Sequence, residues 1–174
     1  MNNAEQYYRS GLKNNLLSQY DEAIADYSKA IECSPFFTDA YLRRGTLRYK
    51  ILKKYDDALM DFTQIITFNS DSALAYLHRG IVKCHLLKFE DAMPDYDKSI
   101  ELDPNDERAY LNRGKNKYVL KFSEDEVRND LERAIRLGSG QAADMLELFY
   151  GGDQQAIRES ISKGIQERAR RLQK

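Results

Sequence analysis

The chain carries almost no net charge. Its 27 Lys and Arg stand against 28 Asp and Glu, a formal net charge of −1, and a near-neutral protein has no global field that selects nucleic acid or a membrane surface. Cysteine is scarce. Cys33 and Cys84 are the only two, far apart in helical patterns, so a reduced, partly buried state in a reducing compartment is expected. Three prolines and nine glycines leave little to interrupt a helical pattern. No apolar run approaches the roughly 20 residues of a membrane helix, and Met1 to Glu5 lack the basic and then apolar leader of an exported chain. A cytoplasmic protein without membrane association is expected. Catalytic signatures are missing as well: there is no Gly-rich phosphate loop, no Ser/His/Asp elbow and no Cys-x-x-Cys pair. The expectation is a non-enzyme without a cofactor. His78, Cys84 and His85 fall on one helical stretch, but three soft ligands without a fourth do not make a metal site, and none is expected.

What the chain does have is a period. Gly11, Gly45, Gly80 and Gly114 lie 34, 35 and 34 residues apart. Four residues before them stand Tyr7, Tyr41, Tyr76 and Tyr110; twelve or thirteen after them stand Ala23, Ala58, Ala92 and Val127. Then come Tyr27, Phe62, Tyr96 and Leu131, followed by Ile31, Ile66, Ile100 and Ile135. A fixed period of this length signals stacked helical units, each burying its apolar face on the next. The patterns predict first helices near 4–17, 38–52, 73–87 and 107–120 and second helices near 21–33, 56–68, 90–102 and 124–136. A glycine inside a helix costs about 1 kcal/mol against Ala, so its recurrence implies a close helix crossing. Asp21, Asp56 and Ser123 are candidate N-caps or first-turn groups, and Ser123 to Glu126 has capping-box spacing. Val127 departs from the small-residue pattern, which predicts a splayed fourth pair. Arg44, Arg79 and Arg113 precede their glycines, and a structural role against a neighbouring carboxylate is favoured for them.

These residues resemble the tetratricopeptide repeat family. The first repeat reads Tyr7, Gly11, Ala23, Tyr27, Ala30, Pro35, and the third reads Tyr76, Gly80, Ala92, Tyr96, Ser99, Pro104. The second keeps Tyr41, Gly45, Ala58 and Phe62 with Ser70 in place of Pro, and the fourth, Tyr110 to Gly140, is the weakest. The resemblance implies an all-α, right-handed α-solenoid of four helix-turn-helix units at 4–37, 38–72, 73–106 and 107–140. Residues 141–174 are expected to add a C-terminal helix pair that caps the stack: one helix to Tyr150, a stop at Gly151-Gly152, and a last helix to about Leu172 with Ile157, Ile161 and Ile165 in its stripe. The alternative is that this last helix docks on a partner, on a second copy or in the chain's own groove.

The charge is segregated. The first helices, with Lys121, hold thirteen Lys and Arg against three Asp and Glu; the second helices, extended to Tyr20, Phe89 and Asp103, hold five against eighteen. By resemblance the first helices line a concave groove, which is therefore basic. Family offsets place Arg9, Arg43, His78, Arg108 and Asn112 in it as donors, with Lys50, His85 and Lys115, and with Tyr49 and Tyr118 as contact surface. Arg forks suit carboxylates, and Tyr supplies contact area at little entropic cost. The expected function is a protein–protein interaction module, an adaptor or scaffold, that binds an acidic peptide segment. The family's chaperone-tail carboxylate clamp is not expected, because its positions hold Tyr8, Leu12, Arg43, Leu74 and His78. Two other readings stay open. Basic residues interleaved with Tyr suit single-stranded nucleic acid, against which the near-neutral charge argues, and the terminal helix suits self-assembly into a homo-oligomer.

Overall fold

The computed structural model describes residues 3–151 and Lys163. The expected last helix, from Asp153 to Leu172, lies outside the described residues apart from Lys163. The described residues form nine α-helices: α1 (Asn3–Leu16), α2 (Tyr20–Cys33), α3 (Thr38–Lys50), α4 (Tyr55–Phe68), α5 (Ala73–His85), α6 (Phe89–Leu102), α7 (Glu107–Val119), α8 (Glu124–Arg136) and α9 (Gly140–Tyr150). The chain divides into two compact units, Met1–Leu86 and Leu87–Lys174. The boundary falls inside the third repeat, so α1 to α5 belong to unit 1 and α6 to α9 to unit 2.

Helix starts follow two chemistries. Ser72, Asp106, Ser123 and Ser139 cap α5, α7, α8 and α9 with side-chain oxygens. At Ser123 the capping box closes both ways, with Ser123 Oγ accepting from Glu126 N–H and Glu126 accepting from the Ser123 N–H. Helices α2, α4 and α6 begin at Gln19, Lys54 and Lys88 without a side-chain cap. Asp21 and Asp56 sit in first turns, where they favour the positive end of the helix dipole. The turn inside each repeat is closed by one left-handed residue: Ser18, Lys53, Leu87 or Lys121, with φ between 56° and 60°. Backbone bonds such as Gln19 N to Asn14 O and Phe122 N to Lys117 O finish the preceding helix. None of the four is a glycine, although an L-residue there loses roughly 1–2 kcal/mol.

In unit 1, α1 packs on α2, α2 on α3, α3 on α4 and α4 on α5, with a lighter contact of α3 on α5. The two helices of the first repeat, and the two of the second, are drawn together at a glycine. A Cβ placed on Gly11 would stand 2.6 Å from the Tyr27 ring, and one on Gly45 would stand 3.0 Å from the Phe62 ring. The aromatic of the second helix thus occupies the place of the missing side chain. Tyr27, Ala23 and Leu47 form one buried cluster; Tyr49, Phe62, Ala58 and Val82 anchor another. In unit 2, α6 packs on α7, α7 on α8 and α8 on α9, around Leu111, Val127, Leu131 and Leu146. Gly114 lies as close to Leu131 (3.1 Å from a placed Cβ) as Gly45 does to Phe62. Contrary to the expectation drawn from Val127, the fourth pair is not splayed; Leu131 fills the aromatic's place. Among the described residues no helix is long and apolar enough to cross a membrane.

Candidate functional site

A large part of the basic charge on the first helices is consumed inside the protein. Asp61 of α4 is 2% exposed. It receives Arg44 Nη2 at 2.7 Å and Nε at 3.2 Å, and Arg48 Nη1 at 2.7 Å. In unit 2, Asp130 of α8 receives Arg113 Nη2 at 2.6 Å, Nε at 2.9 Å, and Lys117 Nζ at 3.0 Å. In the first repeat Asn14 takes the role with a neutral amide, donating to Asp26 at 2.8 Å. Burial opposes the charge of Arg113, but its hydrogen bonds to Asp130 and Asp97 outweigh that and raise its pKa. For Arg44 and Arg113 these contacts bear out the structural role favoured for the arginine before the glycine. Its third arm reaches the preceding repeat: Arg44 Nη1 donates to Ser28 Oγ at 2.9 Å, and Arg113 Nη1 to Asp97 at 2.7 Å. The two guanidinium groups also lie over the rings of Tyr41 and Tyr110.

The acceptors Asp26, Asp61 and Asp130 were not singled out in the sequence, although the signal is there. An Asp precedes the second-helix aromatic or Leu131 in all four repeats, at Asp26, Asp61, Asp95 and Asp130. A charge repeated at the period of the core, next to a core residue, marks a buried acceptor rather than a solvated face.

In unit 1 the first helices lie side by side. Arg43 of α3 lies beside Tyr8 of α1, and the interaction of the two side chains raises the arginine's pKa. Tyr49 of α3 shares a 3.1 Å hydrogen bond with His78 Nδ1 of α5. Arg43 is exposed, as are Lys50 and His85; Arg9 is exposed beside Glu5, whose carboxylate it meets at 2.9 Å. His85 stacks on Tyr55, with centroids 5.0 Å apart and planes 10° apart. Two members of the expected groove set are core residues instead. Tyr49 is 4% exposed and His78 9%, and both pack against the Phe62 ring. The offset that would carry them to a groove surface carries them into the gap between neighbouring first helices. Cys33, expected to be partly buried, is exposed because its helix turns it to the surface, and Cys84 is half-buried; neither forms a disulfide among the described residues.

In unit 2 the expected residues share one face of α7. Arg108 is held by Asp106, with Nε and Nη2 at 2.8 and 2.7 Å from the two carboxylate oxygens. Asn112 donates to the Arg108 carbonyl. Tyr118 stacks on Phe149 of α9, with centroids 3.6 Å apart and planes 2° apart. Lys115 is half-buried, and burial lowers its pKa, with no carboxylate acting on it among the described residues. Among the described residues no group of three or more His, Cys, Asp and Glu is placed to hold a metal.

No family model matches the chain, and no curated protein does. Solved structures do. The first TPR of Spaghetti (RPAP3), bound to the HSP90 peptide SRMEEVD, is 29% identical, covering 69% of this chain and 94% of that one at a TM-score of 0.66. The first TPR domain of human RPAP3 is also 29% identical, over 68% of this chain and 93% of that one, with a TM-score of 0.64. TTC0263, a thermophilic TPR protein of Thermus thermophilus, is 17% identical with a TM-score of 0.72 over 94% of this chain and 90% of that one, a likeness of fold alone.

Proposed function

We propose, on the premise that this chain is a tetratricopeptide repeat protein, that it is a non-enzymatic module binding a peptide segment of a partner on its first helices. The observation that carries this reading is the sorting of the cations. Once Arg44, Arg48, Arg113 and Lys117 are assigned to buried carboxylates, unit 1 still presents Arg9, Arg43, Lys50 and His85 at the surface, all from first helices. Such donors suit acidic side chains. The peptide held by the 29% identical RPAP3 domain, SRMEEVD, is itself acidic. The positions of the family's chaperone-tail clamp hold Tyr8, Leu12, Arg43, Leu74 and His78 here, so the mode of grip proposed is not that clamp. The nucleic-acid reading is disfavoured because base stacking needs free rings, and Tyr49 is buried while Tyr118 is covered on one face by Phe149.

Capture from nuclease-treated native lysate tests the reading, with wild type beside an Arg43→Glu/Lys50→Glu variant. Both positions are exposed, and neither takes part in the Asp61 cluster, so the variant is expected to melt within a few degrees of wild type. Proteins held by wild type and released by the variant support the reading; an unchanged set refutes it for this face.

A further inference from the structure

We infer that the α7 face of unit 2 carries a carboxylate subsite on Lys115 beside an apolar shelf of Tyr118 and Val119, and that it takes an extended peptide with an acidic side chain two residues from an apolar one. This rests on the peptide-binding reading above and adds to it a place and a sequence rule.

The cations of α7 differ in what holds them. Arg113 and Lys117 are committed to Asp130, and Arg108 to Asp106. Lys115 is half-buried, and among the described residues it makes no hydrogen bond or ion pair; burial alone bears on its charge. A desolvated ammonium without a counter-charge is disfavoured in the free protein. An arriving carboxylate turns that deficit into a charge-assisted hydrogen bond. Helix α7 thus holds one of its cations back from the internal network.

The neighbours of Lys115 set the second half of the rule. Tyr118 and Val119 follow it by three and four residues and so share its face, about 4.5 and 6 Å further along the axis. They are 42% and 50% exposed. In an extended segment, side chains on one face recur every second residue, at roughly 6.6–7 Å. A carboxylate on Lys115 therefore brings the side chain two residues away onto the shelf. Phe149 is stacked flat on Tyr118, so the ring is fixed before the ligand arrives, which lowers the cost of binding. A phosphate backbone would call for a row of uncommitted cations, and this face offers Lys115 among partnered ones; the charge pattern fits a single side-chain carboxylate.

The test uses the full chain and three fluorescein-labelled ten-residue peptides: one with Glu and Leu at positions i and i+2, its Gln counterpart, and one with the Leu moved to i+1. Binding is read by anisotropy. Wild type is expected to prefer the Glu peptide to the Gln peptide by about tenfold, the value of one charge-assisted hydrogen bond, and to prefer i+2 to i+1 spacing. Lys115→Met should bind the Glu and Gln peptides alike and melt at a higher temperature than wild type; Lys115→Arg should restore the preference. If Lys115→Met keeps the Glu preference, or melts lower than wild type, the subsite is refuted. If that preference is instead lost in Arg43→Glu, peptide binding stands and its seat is unit 1. If wild type binds none of the three peptides, this inference fails; lysate capture lost in Arg43→Glu/Lys50→Glu would still uphold the peptide-binding reading.

Discussion

Replacing Asp61 by Ala removes the shared acceptor of Arg44 and Arg48 and leaves two guanidinium groups in a cleft built for an anion. The carboxylate is 2% exposed and the arginines 14% and 17%. Breaking a buried pair from one side costs about 3–5 kcal/mol, because the surviving charge stays desolvated. Here the arginines keep some access to water, and Arg44 keeps its bond to Ser28, so the expected loss is about 3 kcal/mol. With a urea slope of roughly 2 kcal/mol per M, the unfolding midpoint should fall by roughly 1.5 M. The same measurement on Asp61→Ala/Arg44→Met/Arg48→Met should recover most of the loss, since no charge is then stranded. As an internal control, Glu124→Gln deletes an exposed pair with Arg128 and should cost no more than about 0.5 kcal/mol. An Asp61→Ala variant that unfolds within about 0.5 kcal/mol of wild type would show that the cluster behaves as a surface pair and would refute this reasoning.

Three further outcomes follow from packing and backbone geometry. Gly11→Ala places a Cβ 2.6 Å from the Tyr27 ring; overpacking should outweigh the gain of about 1 kcal/mol in helix propensity, and a melting point at or above wild type would contradict this. Leu87→Gly and Lys53→Gly relieve left-handed φ values of 60° and 56° and should each stabilise by about 0.5–1 kcal/mol, measured by urea unfolding and set against the loss of any apolar contact at Leu87. The Tyr27 hydroxyl is buried with no hydrogen-bond partner among the described residues, and burial raises its pKa to about 12. Because the folded value lies above the unfolded one of about 10, the native state loses stability as pH rises from about 10 to 12. Tyr27→Phe should therefore melt higher at pH 8, by the equivalent of about 1 kcal/mol, and lose less stability between about pH 8 and 11 than wild type; equal alkaline losses would count against it.

The helices were legible because their signals are local. Observed boundaries lie within two residues of the expected ones for α1 to α9, as period and capping chemistry act within a few residues of each end. Side-chain destinations were less legible. Tyr49 and His78 look like surface residues on their own helices, and only the adjoining first helix turns them into core. Asp61 and Asp130 look like members of a solvated acidic face until the arginines of the partner helix are brought over them. The left-handed turn residues were invisible because Ser18, Lys53, Leu87 and Lys121 carry none of the glycine that such a φ usually advertises. In each case the missing information sits on another element, in a contact that the period alone does not specify.

The three-armed arginine has a consequence for how such a chain can grow. Arg44 satisfies its own repeat through Asp61 and its predecessor through Ser28; Arg113 does the same with Asp130 and Asp97. The second repeat is therefore matched to the first, and the fourth to the third, like a plug to its socket. The first repeat carries Ser10 where the others carry arginine. A copy of it spliced between two others would fill the space and keep the period, yet reach back to nothing. Gene duplication can lengthen this protein freely only by copying segments that bring their own arginine, and the order of its repeats is written in those contacts as firmly as in the peptide chain.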